Sequence, residues 1–273
     1  MSKRKKMKHK HPPIISLIVP AFKQEKTIYK DLRRITAVMQ QLRYKNEIIV
    51  VVDGLLDKTY QQAKKLKDKR IQVVGYEHNY GKGHAIRYGI AKAKGNIIAF
   101  IDAGMDIDPN GISMLLEHFE WYNADIIIGS KLHPVSKVNY PFWRRVLSWG
   151  YRMIIRTLFG LNVRDTQVGI KFFRRKVLED VLPRLLVKEY AFDIEILAVA
   201  YYLHYRRIFE APIELDFKSS SSITSKGFWR TIFLMMWDTL AVFYRLKILH
   251  YYDTGNKKKW RFEPELNFRI NLP

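Results

Sequence analysis

The residues best suited to chemistry stand at the ends of two apolar runs. Ile97-Ile98-Ala99-Phe100-Ile101 ends in Asp102, with Asp106 and Asp108 close behind, and Glu47 to Val52 ends in Asp53. A run of this length and composition is a strand buried on both faces. Ligands of open α/β sheets bind at the carboxyl ends of such strands, and carboxylates clustered there can hold a hard divalent cation that neutralises phosphates. Asp, Gly, Pro and Asn also mark ordinary turns, so the acids alone do not decide between a metal-assisted nucleotide site and a solvated loop.

Positioning these acids is the task of alternating strands and helices. Ile14–Val19 reads as the first strand, followed by a loop through Pro20 to Glu25 and a helix from about Thr27 to Leu42. A second strand, a helix over Tyr60–Lys67 and a third strand, Ile71–Gly75, lead to the loop Asn79-Tyr80-Gly81-Lys82-Gly83. A helix from His84 to Ala93 then precedes the central strand. This order predicts βαβ units in a mostly parallel sheet. The glycines around Lys82 do not have P-loop spacing and the first loop lacks a dinucleotide glycine fingerprint, which disfavours both of those classes.

Further along, Ile112–Tyr122 reads as a helix, Ala124–Gly129 as a strand and Pro141–Leu161 as a basic amphipathic helix. Such a helix either packs on the sheet or lies among lipid headgroups with its arginines reaching phosphates. Residues 164–171 read as a polar segment. A helix from Phe192 to about His204 follows, in which Asp193 and Glu195 interrupt an apolar pattern. Buried carboxylates are costly unless paired or employed, so each is a candidate for catalysis or for a structural pair. Ile208–Leu215 reads as a late strand, with Pro212 pointing to a sheet edge or bulge. Phe228–Leu249 is a second amphipathic helix, and the last twenty residues show no pattern.

Within 273 residues, 48 Lys and Arg oppose 26 Asp and Glu, a net charge of +22 that implies an acidic partner. With no cysteine, disulfides, thiolate nucleophiles and cysteine-ligated zinc are excluded. No run approaches the ~20 apolar residues of a transmembrane helix, so membrane contact is expected to be peripheral. The expected organisation is a disordered basic arm over residues 1–12, one domain over 13–227, an interfacial helix over 228–250 and a tail over 251–273.

Taken in order, the loops resemble those of family 2 glycosyltransferases of the GT-A fold, and within them the polyprenyl- and dolichyl-phosphate mannose and glucose synthases. The match runs through Ser16–Glu25, Val51-Val52-Asp53-Gly54, Asn79–Gly83, Gly129-Ser130-Lys131, Asp165–Lys171, Phe192-Asp193-Ile194-Glu195 and Glu210–Ile213. The resemblance implies a GT-A-type, Rossmann-like α/β domain. It also implies an inverting enzyme that moves a hexose from a nucleotide-diphosphate sugar to polyprenyl phosphate, with Mg²⁺ or Mn²⁺ as cofactor. Pro20, Glu25, Asp53, Lys82 and Asp102 would bind the nucleotide-sugar. Asp102 and Asp106 would hold the metal, with Asp165, Gln167 and Asp193 completing the catalytic set. Lys131, Arg144, Arg145 and Lys218 would bind the acceptor phosphate.

The sequence departs from that pattern at Gly104, which stands where the family places the second Asp of its metal motif. That departure keeps a catalytically impaired scaffold among the readings, beside an enzyme acting on a glycan or glycolipid acceptor. A nucleic-acid-binding module is the alternative from another class. The acidic strand ends would repel a phosphate backbone and no RNP, KH or zinc-finger pattern occurs, so no nucleic-acid partner is expected. The two amphipathic helices and the basic arm are expected to dock the protein peripherally on an anionic membrane surface, at its cytoplasmic face.

Overall fold

A computed structural model describes residues 14–104, 107–133, 136, 142–187, 191–214, 225–255, 260–264, 266 and 268–270. Its centre is a seven-stranded sheet in the order β3-β2-β1-β4-β6-β5-β7. The strands are β1 (Ile14–Ala21), β2 (Lys45–Asp53), β3 (Ile71–Tyr76), β4 (Ile97–Ile101), β5 (Ile126–Ser130), β6 (Ile170–Arg174) and β7 (Ile208–Pro212). β4 and β5 are buried throughout and β1 everywhere beyond Ile14, as largely apolar runs covered on both faces should be.

All strands run parallel except β6, which pairs antiparallel with both β4 and β5. The mostly parallel α/β sheet expected from the sequence is therefore present, with one strand, β6, that begins at the end of what reads as a polar segment. β6 contains Lys171 and Arg174, and these charges hide the pattern of a buried strand. Pro212 lies on β7 at the edge of the sheet, where a missing N–H leaves no gap in an inner ladder.

Helices α1 (Ile28–Gln41), α2 (Thr59–Lys64), α3 (Lys82–Lys92) and α4 (Gly111–Trp121) link the first strands, and α6 (Arg175–Val181) and α7 (Phe192–Tyr202) follow β6. In α1, Ile28, Leu32, Ile35 and Met39 recur at helical spacing and are all buried. α5 (Phe142–Phe159) and α8 (Ser225–Lys247) pack together through Phe159 on Phe243, with ring centroids 6.2 Å apart, and through Tyr151, whose hydroxyl lies 3.0 Å from that of Thr239. Each keeps a large apolar side exposed: Trp149 and Met153 on α5, and Phe233, Trp237, Leu240 and Tyr244 on α8. Phe233 and Trp237 stack with centroids 6.5 Å apart and are 66% and 64% exposed. Among the described residues, no helix is long and apolar enough to cross a membrane. The C-terminal residues form a short hairpin, β8 (Arg261–Glu263) and β9 (Phe268–Ile270).

Candidate active site

Because β6 runs against its neighbours, its amino end lies at the edge where β4 ends. The Asp102 amide donates to the Gly169 carbonyl at 2.9 Å across that junction. Nearby, Asp53 closes β2, and its Oδ1 accepts from the Tyr76 hydroxyl at 2.9 Å and from the Tyr80 amide at 2.8 Å. These bonds fasten the loop at 79–81 to the sheet edge and set the start of α3, whose first residue is Lys82.

Lys82 Nζ lies 2.8 Å from Oδ1 of Asp102 and 2.9 Å from Oδ2, to which it donates. It also lies 3.3 Å from Oδ2 of Asp193, in the first turn of α7. The other oxygen of Asp193 accepts from Lys171 Nζ at 2.5 Å, and Lys171 donates in addition to the Val168 carbonyl at 2.6 Å. Asp102, Lys82, Asp193 and Lys171 thus form an alternating chain of charges, with both ammonium groups near the face of Phe100, at 5.8 and 5.4 Å from its centroid. Burial penalises the Asp193 carboxylate, but Lys171 and Lys82 outweigh it and hold its pKa below the ordinary value. Burial likewise opposes the charge on Lys82, and Asp102 and Asp193 raise its pKa nonetheless. Burial pushes the pKa of Lys171 below the ordinary value, against the Asp193 charge that raises it.

Beside this chain a second cluster forms around the segment 164–167. Glu210 on β7 accepts from the amides of Arg164 and Asp165 at 2.9 and 3.0 Å. Asp165 in turn accepts from the amides of Lys131 at 3.1 Å and Gln167 at 3.2 Å, so both of its oxygens hold backbone. A cavity of about 590 Å³ opens here between α5 and α8. Lys131, Arg164 and Gln167 lie on its polar side, and Leu147, Met235 and Met236 are among its apolar walls. Tyr151 also lines it, with a hydroxyl pKa pushed up to about 12, by burial first and by the Asp193 charge as a smaller cause.

Of the residues expected at the site, Asp102, Lys82 and Asp193 meet directly, while Asp165, Gln167 and Lys131 meet one another at the cavity. Pro20 lies within β1 and its carbonyl accepts from the Ala103 amide at 3.4 Å. Glu25 accepts from the Lys58 amide at 3.1 Å, joining the loops that follow β1 and β2. Asp106 and Lys218 lie outside the described residues, and so do the side chains of Arg144 and Arg145 on α5. Lys171 and Arg164 join the site without having been singled out from the sequence. The available signal for Lys171 was its place at the end of the matched segment Asp165–Lys171, as one lysine in an otherwise apolar Ile-Lys-Phe-Phe run.

The two candidate acids of α7 separate cleanly. Asp193 belongs to the charged chain, whereas Glu195 is wholly buried and accepts from the amides of Leu186 and Val187 and from the Tyr252 hydroxyl at 2.7 Å. Burial raises its pKa despite those bonds, and its role is to fasten three segments of the fold.

A sheet of this order, with acids from separate strands and helices gathered on one lysine at the carboxyl edge, is the GT-A type of α/β fold. The chain belongs to glycosyl transferase family 2, whose model matches residues 16–182. It is 29% identical over 250 residues to a dolichyl-phosphate beta-glucosyltransferase of Trichomonas vaginalis, covering 86% of this chain and 75% of that one. It is 31% identical over 202 residues to the dolichyl-phosphate beta-glucosyltransferase of Drosophila melanogaster, covering 68% of this chain and 62% of the relative. The chain thus spans less than two thirds of the Drosophila relative's length. Among solved structures, it is similar in fold to glucosyl-3-phosphoglycerate synthase of Mycobacterium tuberculosis in complex with Mn²⁺, UDP and glucosyl-3-phosphoglycerate. That likeness has a TM-score of 0.65 and 17% identity, covering 96% of this chain and 88% of the other.

Proposed function

We propose that the protein is an inverting glycosyltransferase that moves a hexose, glucose or mannose, from a nucleotide-diphosphate sugar to polyprenyl phosphate at an anionic membrane surface. The observation that carries this reading is the junction of the two clusters. A charged chain suited to a diphosphate adjoins an apolar cavity with Lys131 on its polar side, beneath two helices whose outer sides are apolar.

The acceptor phosphate is ionised at neutral pH, so it attacks the anomeric carbon without a general base and the nucleoside diphosphate departs from the opposite face. What remains for the protein is positioning and charge neutralisation. Lys82 offers an ammonium to the donor diphosphate. Lys131 and Arg164 offer charge to the acceptor phosphate, and the cavity takes the first part of the prenyl chain and excludes water. On the exposed side of the helices, Arg156, Arg230 and Lys247 offer charge to lipid headgroups beside Trp149, Phe233 and Trp237.

A divalent cation, such as the Mn²⁺ of the mycobacterial structure, suits the carboxyl edge. Asp102 Oδ1 is buried and takes no hydrogen bond, with the Lys82 ammonium 2.8 Å away as its counter-charge; Mg²⁺ is commonly held by one or two carboxylates together with substrate phosphates, so an ion would take the place that Lys82 leaves when it turns to the diphosphate. Asp102 would hold the ion, with Asp106 as the second carboxylate. When bound, the ion would neutralise the charge that develops on the departing diphosphate.

The test is a panel of UDP- and GDP-sugars offered to purified protein with and without Mn²⁺, using a short polyprenyl phosphate and 3-phosphoglycerate as alternative acceptors. Metal-dependent transfer from one donor to the lipid is the expected result. Transfer to 3-phosphoglycerate alone would overturn the acceptor, and the absence of transfer from every donor would overturn the enzyme.

A further inference from the structure

Lys171 is the most deeply buried member of the charged chain. Its side chain is 0% exposed, whereas that of Lys82 is 29% exposed. It approaches Asp193 from the sheet side at 2.5 Å, while Lys82 approaches the opposite oxygen at 3.3 Å. A buried carboxylate must keep a counter-charge, and the nearer lysine supplies the stronger one. Without Lys171, Asp193 would have Lys82 as its remaining lysine and would draw it inward, away from the open edge.

We propose that Lys171 is a positioning residue of the donor site: by neutralising Asp193 from beneath, it leaves Lys82 free to turn outward to the diphosphate of a bound nucleotide. The inference rests on the reading that the carboxyl edge takes a nucleotide-diphosphate sugar. It concerns a competition between partners. Lys82 has three calls on its charge, from Asp102, from Asp193 and from the donor, and Lys171 removes one of them. It also accounts for a fully buried lysine on an inner strand, where an aliphatic residue would pack without any desolvation penalty.

The experiment measures dissociation constants of UDP and GDP by calorimetry, in Mn²⁺, on the full chain and its variants. Lys171→Met should weaken the nucleotide that wild type binds by about tenfold, the loss expected when one charge-assisted hydrogen bond to phosphate is withdrawn. The double variant Lys171→Met/Asp193→Asn should recover affinity to within about threefold of wild type, because Asp193 no longer captures Lys82. Lys171→Gln removes the charge while keeping a hydrogen-bonding head group for Val168 and Asp193, and it carries the same expectation should the methionine variant not fold. A purely structural lysine would leave the double variant as weak as the single one, and that result overturns the inference. So does wild-type affinity in the folded single variants. Wild-type protein that binds neither nucleotide overturns the donor-site reading itself, and the role of Lys171 with it.

Discussion

A methyl group on Gly169 would enter the space held by Asp102. The added Cβ would lie 2.7 Å from Cγ of Asp102 and 3.1 Å from its Cβ, and closer still to Oδ2. Carbon atoms pack best at about 3.5–4.0 Å, so the carboxylate has to retreat by about 0.8 Å or more. The backbone at Gly169 is outside the left-handed region, so alanine is tolerated there and the strain falls on the Asp102 side chain. That side chain is the one Lys82 touches and the one proposed to hold the metal. A misplacement of about 1 Å at a reacting centre lowers rates by about a hundredfold, or about 2.7 kcal/mol of barrier. Gly169→Ala should therefore lose about two orders of magnitude in kcat for hexose transfer while its melting temperature moves by no more than about 4 °C. The assay pairs single-turnover transfer at saturating donor with thermal unfolding of the same preparation. Transfer within about threefold of wild type would refute the reasoning, and a large loss of melting temperature would place the clash in the fold instead of the site.

Two other outcomes follow from named residues. Restoring the family's acid with Gly104→Asp should not tighten Mn²⁺ binding: Gly104 has φ +111, so the substitution strains the backbone by about 1–3 kcal/mol although the nearest atom, Gln24 Nε2, is 3.6 Å away. A metal titration beside a melting curve checks this, and tighter metal at an unchanged melting temperature would show the position to be a lost ligand. Replacing Phe233 and Trp237 together by Ser should lower partitioning onto anionic vesicles by about tenfold to a hundredfold, since each exposed ring contributes up to about 1.5–3 kcal/mol when buried. Sedimentation with vesicles measures it, and unchanged binding would remove α8 from the membrane contact.

What could be read from the sequence was whatever rested on local pattern. β1, β2 and β4 hold apolar runs that end at Pro20-Ala21, Asp53 and Asp102, so the parallel half of the sheet and the acids at its carboxyl edge were legible from strand ends alone. β6 was not, because its charges make sense only with partners far along the chain: Lys171 with Asp193 on α7, and Arg174 with the Asn123 side chain and the Ala124 carbonyl before β5. The same reasoning applies to Asp193 and Glu195, which look equivalent in sequence and are told apart by what faces them. Asp165 was singled out by its place in a motif, and what the motif could not show is that both of its oxygens hold the amides of Lys131 and Gln167. The hairpin of β8 and β9 is too short and polar to register as pattern at all.

The distance along the chain between Lys82 and Asp193, 111 residues, has a consequence for how the protein is made. A nascent chain that has emerged only through β5 contains β1 to β4 and their helices, with Lys82 and Asp102 already available to each other. It has neither β6 to cover the open edge of β4 nor α7 to supply Asp193. Until then that edge is an unpaired ladder of the kind that recruits other strands, and the half-sheet carries an incomplete set of charges. Emergence of β6 therefore does two things in one step: its insertion seals the exposed edge and brings Lys171 to the place where Asp193 will meet it. The charges of the site are therefore completed, by Asp193 on α7, only after the strand that seals that edge has been made.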